Sequence, residues 1–510
     1  MIGGDKMGKN KLIPIMLAAV VLAALPSCTS VVSNVEHSQE EHSDSTDTAV
    51  TEAAETQTAE APTTAIVTTA AVTETTTVTT TTNAVMKGNI YDVDGNTLVW
   101  STTSAEGGET RTFDENYRYA YGNIISDISG GFDYVLTDGL TTPNPTDIDG
   151  AEIGQSLQLT LDSEVQNGIY SFMLSSGIVG SVVVMRTDGS IMAEVSYPSF
   201  DPNISLSDQN YYDSLPGGAC ANKAFQNAAP GSCFKILSSV IADYNGITTL
   251  YDEGTWDDNG AVIHNWDYDR SWNYPIAERS LYSAFVDSSN IYFARAFDQI
   301  GTDTVLYDLE SFFNFGTGCD IDCDFGPLEN SISITCADDL RRSAFGQAMV
   351  RTCPIYLAAV GREAVFGDMV RPFVVKNYVD TADGYTVTEQ GSAPYDYICS
   401  IPESCRQDLL DGMKGVTEHI GITAPSGYTL YTKTGTAEVG AGDYLYITGC
   451  LKNDSDVTAQ GIVYDNYEDY KATGSYVVVM QIQNPADLGL EFASNSAYLY
   501  RQILDIVLTY

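Results

Sequence analysis

Pro230-Gly231-Ser232-Cys233-Phe234-Lys235, running into Ile236-Leu237-Ser238-Ser239-Val240-Ile241, is the stretch on which the reading of this chain turns. Gly231 and Ser232 open an apolar segment that reads as a buried helix, so the unpaired N–H groups at its start face the serine's surroundings. A spacing of three places Lys235 one turn along the same face as Ser232. A serine hydroxyl is a poor nucleophile until a neighbour takes its proton, and a lysine partly desolvated beside a second cation can do so. Lys235 is the only lysine in the chain with a serine three residues before it. Ser-x-x-Lys alone arises often by chance, so its weight depends on what accompanies it.

Two further elements accompany it. Lys433-Thr434-Gly435-Thr436 is the chain's only Lys-Thr-Gly. On a strand, Lys433 and Gly435 point to one face and Thr434 and Thr436 to the other. The glycine lets an extended substrate backbone lie close, and the lysine supplies the second cation. Ser288-Ser289-Asn290 adds a hydroxyl and an amide suited to proton relay and amide binding. Each is weak by itself, since Lys-Thr-Gly is common in surface turns and Ser-x-Asn in helix caps.

In this order the three elements resemble the active-site set of the penicillin-binding proteins and serine β-lactamases. Further landmarks resemble the monofunctional, class B-like D,D-transpeptidase branch: Lys87-Gly88-Asn89-Ile90-Tyr91-Asp92, Gly180 to Met185, Ser196 to Asn203, Asn222-Lys223-Ala224, and Phe345-Gly346-Gln347 before Pro354. The match covers roughly residues 87 to 485. Ser288 and Lys433 are 145 residues apart, a gap that suits a transpeptidase better than a small β-lactamase.

The resemblance implies an α+β fold, a central antiparallel sheet flanked by helices, with a small β-rich N-terminal subdomain. It implies D,D-transpeptidation of peptidoglycan stem peptides and penicillin binding, without metal or cofactor. Ser232 would attack, Lys235 would be the base of acylation, and Ser288 with Lys433 would pass a proton to the leaving amine. Asn290 would hold the substrate's amide side chain. The N–H groups of Ser232 and Thr436 would form the oxyanion hole, and Thr434, Gly435 and Thr436 would bind the substrate's backbone and carboxylate. A partner glycosyltransferase is compatible with the resemblance. Alternatives are a D,D-carboxypeptidase, which would use water as acceptor, and a non-catalytic β-lactam sensor or wall-binding protein. The sequence departs from the family pattern at Cys233, where threonine is usual and a thiol beside the nucleophile is open to oxidation. It departs again at Ala348, where glycine is commoner. Glu310 and Asn314 match the spacing of a hydrolytic loop but fall in a helix before Phe315-Gly316, so they are set aside.

The remaining features place the chain. A formal net charge of -44 repels nucleic acid and anionic lipid, which excludes nucleic-acid partners and fits a soluble surface outside the membrane. Lys6, Lys9 and Lys11 precede an apolar run from Leu12 to Leu25, the form of an export signal. Leu25-Pro26-Ser27-Cys28 resembles a lipobox, with Cys28 as lipid anchor and Pro26 unusual for that motif. The alternative is an uncleaved membrane anchor. Either puts the rest of the chain on the extracytoplasmic face of a bacterial membrane. Residues 29–85 are Thr-rich low-complexity sequence, read as a disordered stalk after the 1–28 signal. Residues 86–160 read as the small subdomain and 161–510 as the transpeptidase domain.

Within these, Asp94-Gly95 and Asp188-Gly189 mark hairpins. Ser163 reads as the cap of a helix to Met173, Tyr444 to Leu451 and Tyr476 to Ile482 as strands, and Glu491 to Val507 as an amphipathic helix. Ten cysteines leave nine beyond Cys28; Cys319 and Cys323 are near enough to pair, zinc is weakly supported, and free thiols are the third option. His264 reads as a surface residue rather than a triad member, Asp252-Glu253 and Asp257-Asp258 as a solvated acidic face, and Tyr211, Tyr212 and Trp256 as packing.

Overall fold

The computed structural model describes residues 85–103, 108–126, 136–141, 153–258, 260–270, 276–380, 385–440, 442–458, 470 and 473–510. Cys28 and the Thr-rich stretch to residue 84 lie outside them. Gly180–Arg186, Ile191–Tyr197, Tyr428–Glu438, Asp443–Asn453 and Tyr476–Ile482 form one five-stranded sheet. All neighbours are antiparallel, and Tyr428–Glu438 and Ile191–Tyr197 are the two edges. The sheet joins strands from both ends of the domain, as the apolar runs predict.

Both faces of that sheet are buried, and the two-residue period of a strand decides which side chain goes where. Val183, Met185, Val477 and Val479 enter one core, which is completed by helices Lys235–Tyr244, Pro354–Phe366 and Glu403–His419. Val182, Val184, Val478 and Met480 enter the other, closed by helices Ser163–Ser176 and Ala497–Val507. Continuous apolar runs such as Val182-Val183-Val184 follow from having a core on each side.

A second sheet runs in the order Thr386–Gln390, Val375–Asp380, Ser156–Leu159, Ile90–Tyr91, Thr97–Thr103, Glu109–Phe113. Two of its strands come from residues 375–390, beyond the boundary expected at residue 160, so the N-terminal strands complete their sheet with later chain. Asp94-Gly95 makes the anticipated turn, with Gly95 at φ 85. Among the described residues, those in 82–208 and 215–510 form one compact unit; the short helix Gln209–Ser214 belongs to a second unit, and its Tyr211 and Tyr212 rings meet edge to edge. No helix of the described residues is long and apolar enough to cross a membrane.

Two expectations are corrected, and of the three options left for the cysteines the structure shows free thiols. The cap of helix Ser163–Ser176 is Asp162, whose carboxylate accepts from the N–H groups of Glu164 and Val165. Ser163 instead donates to Asp92 Oδ2 at 2.6 Å, tying the helix to the 92–95 turn. The C-terminal helix begins at Ala497 rather than Glu491, because Asn495 Oδ1 accepts the Phe492 N–H and closes a local turn that competes with helix. Cys319 and Cys323 are free thiols, as are the other cysteines of the described residues. The extended strand Ile321–Cys323 carries the Cys323 sulfur forward into the core, away from Cys319.

Asp162→Ala therefore lowers stability by about 1 kcal/mol, within the usual 0.5–2 range for a lost N-cap. Urea unfolding followed by far-ultraviolet circular dichroism measures it; an unchanged midpoint would mean the cap is dispensable.

Candidate active site

Gly231–Phe234 form a tight turn of 3-10 helix that leads directly into helix Lys235–Tyr244. The turn is held between two other backbones. Gly231 N–H donates to Gly346 O at 3.1 Å. A side chain on Gly435 would meet Pro230 O at 2.8 Å and Cys233 N at 2.9 Å, so only glycine lets the edge strand Tyr428–Glu438 lie this close to the Ser232 turn. Neighbouring Ala348 has φ 55, a left-handed conformation that glycine adopts more readily, which is why its presence departs from the family pattern.

Ser232 is half-buried, and Lys235 beside it is fully buried. The Lys235 Nζ lies 3.0 Å from Ser232 Oγ, 2.6 Å from Ser288 O, 2.8 Å from Asn290 Oδ1 and 3.2 Å from Ser288 Oγ. Asn290 Nδ2 donates to His264 O at 2.8 Å, which fixes the amide with its oxygen toward the lysine. Burial, reinforced by the Lys433 charge, pushes the Lys235 pKa well below its usual range, while Asp252 opposes the shift. A neutral amine has two N–H bonds and one lone pair. Ser288 O and Asn290 Oδ1 can only accept and take the two N–H groups, leaving the lone pair to a hydroxyl. Ser232 is the nearer of the two hydroxyls.

Ser288 has φ 58 and follows helix Leu281–Val286. Its hydroxyl stands 3.1 Å from Lys433 Nζ and 3.2 Å from Lys235 Nζ, bridging the two lysines. Lys433 is also fully buried, and burial lowers its pKa to about 8. Its second bond goes to Thr434 O at 2.9 Å. Phe285 lies against Lys433, and Phe293 and Phe345 against Lys235, apolar rings that exclude water from both.

These groups open on a cavity of about 460 Å³, lined by Ser232, Ser288, Asn290, Gln347, Thr434 and Thr436 among others. The strand alternation predicted for Lys433-Thr434-Gly435-Thr436 holds: Lys433 and Gly435 are buried beneath, while Thr434 and Thr436 face the cavity. All eight residues singled out in the sequence thus meet at one place. At the rim, Arg270 pairs with Glu491 and lies over Phe492, which packs edge-on against Trp266 at 5.1 Å.

Sequence reasoning missed Asn265. Its Oδ1 accepts the N–H groups of Asn290 at 2.8 Å and Ile291 at 3.1 Å, fixing the segment after Ser288. In Ile263-His264-Asn265-Trp266 the histidine is the residue that suggests chemistry, and the neighbouring asparagine carries no spacing signal. His264 itself is exposed, with its ring stacked on Tyr268 at 4.5 Å. The solvated acidic face needs correction. Asp252 is buried, Glu253 pairs with Arg295 and Asp258 with Arg341, because Trp256 lies between those two guanidinium groups and draws them together. Glu310 lies on helix Thr302–Phe313, with Asn314 in its left-handed cap donating to Cys319 O, so neither lines the cavity. Among the described residues no group of three His, Cys, Asp or Glu is placed to hold a metal.

The sequence and fold match known proteins. The penicillin binding protein transpeptidase domain family matches residues 180–486. Penicillin-binding protein 3 of Bacillus subtilis is 30% identical over 368 residues, 66% of this chain and 49% of that protein. The peptidoglycan D,D-transpeptidase PbpA of Mycolicibacterium smegmatis is 26% identical over 408 residues, covering 74% of this chain and 77% of that one. The chain therefore spans about half the length of the Bacillus relative. Among solved structures, the imipenem acyl-enzyme complex of penicillin-binding protein A from M. tuberculosis aligns with TM-score 0.65 at 20% identity, over 84% of this chain and 99% of that one.

Cys233 is fully buried, its Sγ 3.5 Å from Lys433 O, and burial raises its thiol pKa. The oxidation expected of it is blocked by access and by its scarcity of thiolate. With the folded protein in iodoacetamide at pH 8, mass spectrometry should find the exposed Cys336 alkylated and Cys233 modified only after unfolding. Rapid modification of Cys233 in the folded chain would contradict this burial.

Proposed function

Because the chain belongs to the penicillin-binding protein transpeptidase family, we propose that it is a serine D,D-transpeptidase that cross-links peptidoglycan stem peptides through an acyl-enzyme on Ser232. The observation that carries this reading is the placement of the Lys235 Nζ 3.0 Å from Ser232 Oγ, with Ser288 O and Asn290 Oδ1 at 2.6 and 2.8 Å to accept its N–H groups.

In the forward step Ser232 Oγ bonds to the penultimate D-alanyl carbonyl carbon and its proton passes to Lys235 Nζ. The oxyanion meets the N–H groups of Ser232 and Thr436. The peptide C–N bond then breaks, and the leaving D-alanine nitrogen takes, through the Ser288 hydroxyl, the proton that Lys235 received, with the neighbouring Lys433 charge assisting the transfer. Lys433 as an ammonium and the Thr434 and Thr436 hydroxyls hold the terminal carboxylate. Asn290 holds the substrate's amide side chain. The edge position of Tyr428–Glu438 sets one side of the strand toward the cavity, where an extended peptide would pair with it. An amine of a second stem peptide reverses the sequence and restores Ser232. The β-lactams enter by the same attack on their ring carbonyl.

The proposal extends to placement. An export segment over 1–28, anchored through Cys28 or uncleaved, and a stalk over 29–85 carry the subdomain (86–160) and the catalytic domain (161–510) outside the membrane, where the substrate lies. A glycosyltransferase that extends the glycan strands is the natural partner there. With water as acceptor the same site would be a D,D-carboxypeptidase; without turnover, a β-lactam sensor.

A fluorescent penicillin should label the full chain, and Ser232→Ala should abolish the label; persistent labelling of the alanine variant rejects Ser232. Incubation with a D-alanyl-D-alanine peptide and a D-amino acid should yield the exchanged peptide. Free D-alanine without exchange indicates the carboxypeptidase, and no product at all the sensor.

The pH profile of acylation follows from the two lysines. Lys235 works neutral, so the rate rises as pH rises through its lowered pKa. Lys433 works charged, so the rate falls as pH rises through about 8. A rate still climbing up to pH 10 would contradict the role given to Lys433.

A further inference from the structure

Behind the Ser288–Asn290 segment sits a carboxylate that the reaction itself does not use. Asp252 ends strand Thr249–Asp252, which pairs with Ala277–Ser280, and is 1% exposed. Its two oxygens serve an unusual number of donors. Asn265 Nδ2 lies 3.0 Å from each, Ser289 Oγ donates to Oδ2 at 2.7 Å, and Gly254 N–H donates to Oδ1 at 2.8 Å. Arg279 Nε lies 2.8 Å from Oδ2, and the same guanidinium reaches Asp287 Oδ2 at 2.5 Å, on the residue before Ser288.

Three of these partners, Ser289, Asn265 and Arg279, lead back to the site. Ser289 Oγ, while donating to Asp252, accepts the Tyr292 N–H and so caps helix Asn290–Ile300. Asn265, held by Asp252 through its NH2, turns its oxygen to the N–H groups of Asn290 and Ile291. Residues 287, 289, 290 and 291 are thereby fixed by side chains that converge on one buried carboxylate. Ser288, between them, adopts its left-handed conformation with carbonyl and hydroxyl toward Lys235. A non-glycine residue keeps such a conformation only when its surroundings over-determine it.

We propose that Asp252 is a positioning residue for acylation: its carboxylate, clamped by Arg279, holds Ser289 and Asn265 and through them presents Ser288 and Asn290 to Lys235. This rests on the reading of Ser232 as the nucleophile. The same carboxylate bears on Lys235 electrostatically. The charged and titratable groups facing that amine are Lys433 from the edge strand, Cys233 on the nucleophile's turn and Asp252; Ser232, Ser288, Asn290 and the Phe293 and Phe345 rings are neutral. Asp252 is the anion that favours the protonated form, so removing its charge makes Lys235 easier to deprotonate.

The test compares stopped-flow acylation of the full chain by a chromogenic cephalosporin for the unaltered protein, Ser289→Ala, Asp252→Asn and the double variant, with labelled stoichiometry and Tm alongside. Ser289→Ala keeps the charge and removes one link, and should slow acylation on the order of 10-fold; Asp252→Asn should slow it 10- to 100-fold, the scale of a misplaced catalytic group. The double variant should be no slower than Asp252→Asn. The acid limb of the profile should move to lower pH in Asp252→Asn and stay in place in Ser289→Ala. Normal rates in both single variants overturn the proposal. So does a loss in Asp252→Asn that matches its loss of labelled stoichiometry with no movement of the limb. If Asp252→Asn does not fold, Ser289→Ala decides: slowed acylation at unchanged Tm supports the proposal, and the normal rate rejects it. An unaltered protein that is never acylated at Ser232 rejects the functional reading itself, and with it this role.

Discussion

Two lysine side chains are taken out of water within reach of one serine hydroxyl, and the rest of the domain is organised around making that possible. Desolvation disfavours the charged form of each, and the Lys433 charge further disfavours that of Lys235. The outcome is unequal. Lys235 has two carbonyl oxygens to absorb its N–H groups and a hydroxyl for its lone pair, which suits a neutral amine. Lys433 lies beside the cavity that a carboxylate would enter, where a cation is useful. In the proposed reaction, two residues of one type in environments that separate their pKa values would supply base and electrostatic anchor.

Burying those groups needs dense surroundings on all sides, and the backbone provides them through close contacts at glycine. The Ser232 turn, the edge strand and the Phe345-Gly346 segment touch main chain to main chain at Gly231, Gly346 and Gly435. Helix Lys235–Tyr244 then passes into the core beneath, beside helix Glu403–His419 and the five-stranded sheet. The strand that carries Lys433 is an edge only on the cavity side; its other side pairs with Asp443–Asn453 along its length. Rigidity below and an unpaired edge above are what a site for an extended peptide requires.

Much of this was legible in the sequence, for identifiable reasons. Ser232, Lys235, Ser288, Asn290 and the Lys433–Thr436 run belong to short motifs whose spacing maps directly onto a helix turn, a helix start and a strand. The central sheet was legible because its apolar runs are long. Asn265 and Asp252 escaped because their role depends on tertiary convergence. Asp252 was read as a surface acid, since nothing in local pattern announces the arginine, 27 residues later in sequence, that balances it. Cap and boundary errors at Ser163 and Glu491 came from side-chain competition, Asp162 and Asn495 outbidding the residues beside them. The strands at 375–390 joined the N-terminal sheet by a long-range pairing that periodicity cannot reveal.

The central claim is that burial holds the Lys235 amine well below the ordinary lysine range, so that it can act neutral toward Ser232. Titration of the lysine side chains, labelled with carbon-13 at Cε and followed by NMR, tests it most directly, with the Lys235→Met variant assigning the signal. The account predicts one signal, absent from that variant, that titrates well below the ordinary lysine range. If the Lys235 signal titrates with the exposed lysines, near the usual value of about 10.4, the amine is charged at neutral pH and cannot be the base that activates Ser232.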